Sequence, residues 1–434
     1  MDRRTIRSTK FKDRPRRDWT KKNKAEIKKV SPKRVQIEKV RKLINSAKRP
    51  VVLIGRGVRS AAAEEKLVRF IQKLKIPLTF TASAPDTYGT ENSLSIGSVG
   101  AMGCSRAGNF TVQNSDFVLV LGSRLTTLNT GPDFCKFARQ AKIVVVDIDP
   151  VEHTKNSIKI DQFIESDIGT FLDVLEEGPI VKEANYDWRA KCLHWKKIFA
   201  GVEQDFCSSV SIDLYQLADR LSSTMPRPST IITDSGLNEV ILPSNIKFGE
   251  GMKCIHPTSQ GAMGFALPAA IGAQVHTSNL VLAVIGDGSI MMNIQELETI
   301  KNQRLPIKII VINNNVYSII RRRQQDLFRN RTIGTDPENG ISCPEFSKVA
   351  NCFGLKYSKI DNINKLELGL KDLFATDGPA LCEIMGVVDQ SYIEIGHAKS
   401  LETKRFVRRP LEDQAPFLPR EMFIKEMIIE PIDQ

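Results

Sequence analysis

The chain is 434 residues long, enough for two or three domains, and its 41% apolar and 26% charged residues are an ordinary balance for a soluble globular protein. No run approaches the roughly 20 consecutive apolar residues of a membrane span. Eight scattered cysteines without a CxxC pair exclude a disulfide-stapled miniprotein and argue against a zinc knuckle or a dithiol redox site, leaving reduced thiols as the expectation. The net charge of +12 is local: residues 1–34 hold 15 Lys/Arg against four Asp/Glu, and the remainder is close to neutral.

That basic leader, 1–34, has no apolar core of a secretory signal, and Asp2, Asp13, Asp18 and Glu26 argue against an organelle presequence. It reads as a solvated, disordered tail, and the neutral body gives little support to a nucleic-acid partner. A cytoplasmic location is the matching expectation. Residues 35–47 follow as a helix with an apolar stripe of Val35, Ile37, Val40, Leu43, Ile44 and Ala47. PVVLIGRG (50–57) is a buried strand entering a glycine turn, 61–75 an amphipathic helix, and IPLTFTA (76–82) a second strand. A Gly- and Ser-rich loop spans 83–108, and DFVLVLGSRL (116–125) and AKIVVVDIDP (141–150) are further strands. Strands alternating with helical segments predict a doubly wound parallel α/β domain over 35–170.

Residues 171–210 read as a helical linker. A second alternation, PSTIITDSG (228–236), NLVLAVIGDGS (279–289), LPIKIIVINNN (305–315) and PALCEIM (379–385), predicts another doubly wound parallel-sheet domain over 211–388. The proline-punctuated, charged stretch 389–434 is expected to lie as an arm over the surface.

Chemistry concentrates in 281–315. VLAVIG delivers Asp287 between Gly286 and Gly288, a helix is expected over about 291–303, and IKIIVI delivers Asn313, Asn314 and Asn315. A right-handed crossover brings both polar clusters to the same sheet edge, where open α/β sheets bind ligands. One carboxylate and one amide oxygen there suit Mg²⁺ completed by phosphate oxygens. Gly288 permits close approach to a phosphate, and Ser289 opens the following helix. A metal-bridged diphosphate is the expected ligand, and a nucleotide fits these features equally well.

GDGS at 286–289, the spaced Asn pair and GAMGFALPAAIGAQ at 261–274 together resemble thiamine-diphosphate enzymes of the acetolactate synthase and pyruvate oxidase branch. Upstream, AKRPVVLIGRGV, SDFVLVLGSRL, TGPDFCKFA and AKIVVVDIDP are similar to the central, Rossmann-like domain of that branch, so the resemblance covers about 35–390. It implies a C-terminal thiamine-diphosphate-binding domain with Mg²⁺ ligands at Asp287, Asn314 and the backbone carbonyl of Val316. It further implies cofactor contacts at Gly286, Gly288, Ser289 and Asn314, with Met263 bending the cofactor, and decarboxylation or carboligation of 2-keto acids such as pyruvate. In that branch the central domain holds FAD or nothing; the places for FAD are the turn at 122–125, Asp147 and Asp149, and GRGVRS (55–60) superficially suggests a dinucleotide fingerprint. GRGVRS itself lacks the third glycine of a dinucleotide fingerprint.

The family's pyrimidine-binding domain, with its activating glutamate, has no room in the leader, whose one glutamate is Glu26. No catalytic residue is therefore assigned. A separate pyrimidine-domain chain is the expected partner, homo-oligomerisation is implied, and the alternative is a catalytically impaired cofactor-binding or regulatory protein. Among lesser candidates, His256 reads as structural or as facing the thiazolium. Asn315 reads as a turn residue, and Arg321-Arg322-Arg323 as a solvated face or a contact to an acidic substrate or the tail.

Overall fold

The apolar runs become parallel strands because each is buried on both faces. In a computed structural model of the protein, described for residues 30–155, 157–179, 183–200, 206, 210–257, 260–399 and 405–432, two six-stranded sheets form. The basic leader lies outside the described residues as far as position 29.

The first sheet contains β1 (Pro50–Ile54), β2 (Leu78–Phe80), β3 (Ser95–Ser98), β4 (Phe117–Leu121), β5 (Lys142–Asp147) and β6 (Gln162–Glu165), in the order β3-β2-β1-β4-β5-β6. The second contains β7 (Ser229–Thr233), β8 (Met252–Ile255), β9 (Leu280–Gly286), β10 (Lys308–Asn313), β11 (Lys356–Ile360) and β12 (Ala380–Met385), in the order β11-β12-β10-β9-β7-β8. Every pairing within both sheets is parallel, so the molecule has the two doubly wound α/β sheets expected.

Successive side chains enter cores on opposite faces, as the two-residue period requires. On β9, Leu282 and Val284 join one cluster while Val281, Ala283 and Ile285 join the other. On β1, Val52 and Ile54 oppose Val51 and Leu53 in the same way. The first helix, Arg34–Ser46, buries Ile37, Val40 and Ile44, whereas Val35, assigned to that stripe, is exposed in the first turn.

The helix Tyr186–Ile198 packs on the first sheet's side: Trp188 Nε1 donates to Pro50 O at 2.8 Å, and Trp195 Nε1 donates to Glu426 Oε2 at 3.0 Å. The arm beyond residue 388 is anchored by buried polar groups rather than laid loosely. Asn109 Nδ2 donates to Gln414 Oε1 at 2.7 Å, Gln113 Nε2 to Glu412 Oε2 at 2.6 Å, and Arg139 pairs with Glu412 at 2.6 Å. The arginine run holds the same arm from the second unit: Arg321 pairs with Asp389, and Arg322 with Glu394 at 3.5 Å. Arg321 and Arg322 thus contact the arm, while Arg322 and Arg323 also present an exposed helix face. Among the described residues no helix is long and apolar enough to cross a membrane, and the seven described cysteines are unpaired.

Candidate functional site

In the second sheet the chain goes from β7 to β8 on one side and then crosses to β9 on the other, so strand order reverses between β7 and β9. The carboxyl ends at such a point leave a crevice. A cavity of about 300 Å³ lies there, and Met263, Gly286, Asp287, Gly288, Ser289, Asn314 and Val316 all line it. The residues assigned from sequence therefore meet in one place, although they come from three separate segments.

Asp287, 3% exposed, begins a one-turn helix, Asp287–Ile290. Its Oδ1 accepts from Gly288 N at 2.7 Å, and its Oδ2 accepts from Asn314 N at 3.1 Å and Asn315 N at 2.6 Å. The tip of β10 is thus clamped directly to the tip of β9. Burial raises the Asp287 carboxyl above its ordinary pKa, against the backbone N–H groups and the Cys343 thiol that favour the anion. That thiol, pushed up to about 12 by burial and by Asp287, stays protonated. Asn314 Nδ2 donates to Ser318 Oγ at 2.7 Å, which turns the amide oxygen to accept from Val316 N at 3.3 Å. Asn315 has φ +58°, the left-handed conformation that asparagine tolerates, in keeping with a turn role.

The helix expected over 291–303 is divided: the short turn at 287–290 is followed by turns, and a helix resumes only at Glu296–Asn302. The interruption frees Asn293 Nδ2 to donate to Gly264 O at 2.9 Å, joining this segment to the glycine-rich loop that carries Met263. A Cβ at Gly288 would lie 2.0 Å from Tyr317 Cε1, so glycine is required for the aromatic ring to close over the backbone.

Sequence reasoning missed Asp234, which organises the cavity wall. Its side chain is buried at the end of β7. Oδ1 accepts from Ser289 Oγ, Ser235 N (2.8 Å) and Gly264 N (3.1 Å), and Oδ2 from Ala266 N (2.7 Å). The Ser289 hydroxyl donates inward and also accepts from Gly264 N at 3.0 Å. The signal was present: in TDSG, as in GDGS, an aspartate and glycine follow a buried strand. A second missed group supports Asn313, whose Nδ2 donates to buried Glu383 Oε1 at 2.6 Å while Tyr357 OH donates to the other carboxylate oxygen. That fixes Asn313 Oδ1 to accept from Asn315 N at 3.2 Å, the same N–H that bonds Asp287.

His256 does not line the cavity. Its Nε2 lies 2.8 Å from Ala82 O, and its Nδ1 3.8 Å from Glu239 Oε1, so the ring joins the two units.

The family described as "Thiamine pyrophosphate enzyme, C-terminal TPP binding domain" matches residues 234–384, and "Thiamine pyrophosphate enzyme, central domain" matches 37–175. The chain belongs to the thiamine pyrophosphate enzyme family. Among its relatives are three acetolactate synthase large subunits. The isozyme 2 large subunit of Escherichia coli (strain K12) is 30% identical over 350 residues, 80% of this chain and 62% of the relative. That of Cyanidium caldarium is 29% identical over 377 residues (84% and 62%), and that of Porphyra purpurea 30% over 353 residues (80% and 58%). The chain thus spans about 60% of the length of these curated relatives.

The donor set suits Mg²⁺ with a diphosphate: one carboxylate and neutral oxygens, beside a glycine cradle. Among the described residues no group of three or more His, Cys, Asp or Glu could hold a metal ion. FAD receives no such support. In the first sheet Gly57 N donates to Gly122 O at 3.0 Å, and a Cβ at Gly57 would lie 2.6 Å from Gly122 Cα, so the close approach those glycines allow is used by the neighbouring loop.

Proposed function

We propose that this chain is the cofactor-anchoring component of an acetolactate-synthase-like enzyme acting on 2-keto acids such as pyruvate, by decarboxylation or carboligation. The observation supporting it is the convergence of Asp287, Asn314, Val316, Gly288, Ser289 and Met263 on one cavity at the switch point of the second sheet. In this reading Asp287, the side-chain oxygen of Asn314 and the carbonyl of Val316 hold Mg²⁺. The backbone N–H of Ser289 meets the diphosphate beside the turn at Gly288, because the Ser289 hydroxyl is already engaged by Asp234 and the Gly288 N–H by Asp287. Met263 supports the bend between the two rings. Thiamine diphosphate, when bound, supplies an acidic thiazolium carbon and an electron sink for cleavage next to a carbonyl. Asp287 contributes charge balance, and Leu237, Ile312 and Tyr317 line the cavity and limit water.

The rim is apolar and open to solvent: Met263 and Ile320, which line the cavity, are 38% and 54% exposed. We assign this rim to a pyrimidine-binding domain on a partner chain, which brings the activating glutamate, and to homo-oligomer formation around the completed site. Pyruvate consumption by the chain alone and after mixing with a separately expressed pyrimidine-binding domain encoded beside it tests the proposal. Mixing is expected to raise the rate at least roughly 10²-fold, the minimum associated with one general acid–base partner. Cofactor binding without turnover in the mixture would instead identify a binding or regulatory protein.

A further inference from the structure

A second cavity, of about 170 Å³, lies at the junction of the two units. Its walls come from β2 and β3, the C-terminal end of the helix Tyr186–Ile198, the helices Leu214–Thr224 and Leu237–Asn245 of the second unit, and the arm at Ile393. Much of the lining is apolar, with Phe80, Ile96, Phe199 and Ile246. Two hydrogen-bond donors within it have capacity to spare. The Lys196 ammonium donates to the carbonyls of Thr90 (3.2 Å) and Asn92 (3.0 Å), and among the described residues it has no carboxylate partner. The Ser95 hydroxyl, in a residue 2% exposed, has no hydrogen-bond partner.

Donors without acceptors in a cavity specify an acceptor-rich occupant, since an unmet buried donor costs about 1–3 kcal/mol. The other charges nearby are committed. Lys247 lies 3.8 Å from Asp219, and Arg106 donates to the carbonyls of Gln414 and Pro416. A single ammonium with Asp219 in the same lining favours a monoanion over a dianion, and the apolar walls favour a hydrocarbon body.

We propose that this junction binds a small monocarboxylate with an apolar body, its carboxylate on Lys196 and Ser95. The site is separate from the switch-point cavity, so the inference does not rest on the thiamine diphosphate reading. Burial, with Lys247 adding repulsion, lowers the Lys196 pKa to about 8, which leaves the free ammonium poorly compensated. An anion favours the charged form, so affinity should fall roughly tenfold from about pH 7 to about pH 9, as the unliganded lysine loses its proton. Lys247, Asp219 and Arg106 are the charged groups facing it from the surrounding elements.

The test is saturation-transfer NMR and thermal denaturation of the full chain with isobutyrate, benzoate and inorganic phosphate. The expected result is saturable binding of the two carboxylates, weakened roughly tenfold or more in Lys196→Met and retained in Asp287→Ala, which separates this site from the switch-point cavity. Should Lys196→Met fail to fold for want of the Thr90 and Asn92 bonds, Ser95→Ala removes only a hydroxyl without a partner and is expected to weaken binding roughly threefold to tenfold. Absence of saturable carboxylate binding, affinity unchanged in both variants, loss of binding in folded Asp287→Ala, or binding of phosphate in place of the carboxylates would overturn the proposal.

Discussion

The two sheets of this molecule are alike in architecture and opposite in use. Each is six-stranded and parallel, each reverses strand order next to its first strand, and each brings glycine turns to that point. In the first, the loops after β1 and β4 pack onto one another, with Gly57 N bonded to Gly122 O. In the second, the corresponding ends stand apart around a cavity of about 300 Å³, and the strands terminate in two buried aspartates, Asp234 and Asp287. The comparison teaches that an open crevice is a property of the chain ends and not of the fold. Glycine allows close approach in both, but only in the second does a ligand-sized space result.

The comparison can be broken most severely at Asp234. Asp234→Ala removes the acceptor of Ser235 N, Ala266 N and the Ser289 hydroxyl, and one of the two acceptors of Gly264 N. It should cost about 3–5 kcal/mol in urea unfolding and reduce uptake of Mg²⁺ with thiamine diphosphate at least roughly 100-fold. Gly57→Ala is the counterpart in the first sheet. Overpacking against Gly122 should destabilise by about 2–3 kcal/mol, whereas the affinity of the folded fraction for the cofactor stays unchanged. A change in that affinity would show that the two sheets are coupled. Glu383→Leu sharpens the account further. It removes the acceptor for Asn313 and Tyr357, so calorimetry should show cofactor affinity roughly tenfold lower while the circular dichroism spectrum is retained. The smallest effect is expected at Met263→Ala, about threefold in the same titration, because the side chain is already 38% exposed.

Legibility followed position in the sheet. The eight strands read from sequence, β1, β2, β4, β5, β7, β9, β10 and β12, are the interior strands, and their two buried faces produce continuous apolar runs. The four that escaped, β3, β6, β8 and β11, are the edges. QFIE and KYSKI carry charge and bury one residue each, as suits edge strands that avoid further pairing, and SIGS contains a glycine that lets Ser105 approach. In the site, Asp287, Asn314 and Met263 were legible because each sits in a motif at a strand end or in a glycine-rich loop. Asp234 was passed over because TDSG was read only as the end of a strand, and Glu383 because its partners come from other strands, a pairing no local pattern encodes. His256 was ambiguous for the same reason: its partner, Ala82, lies in the other unit.

The central claim is that Asp287 anchors a metal-bridged diphosphate. Isothermal titration of thiamine diphosphate into the folded chain, with and without Mg²⁺ and in parallel with Asp287→Ala, tests it most directly. The account predicts uptake of one cofactor per chain that requires Mg²⁺ and disappears in the variant. Equal affinity of folded Asp287→Ala for the cofactor, or binding indifferent to Mg²⁺, would contradict it.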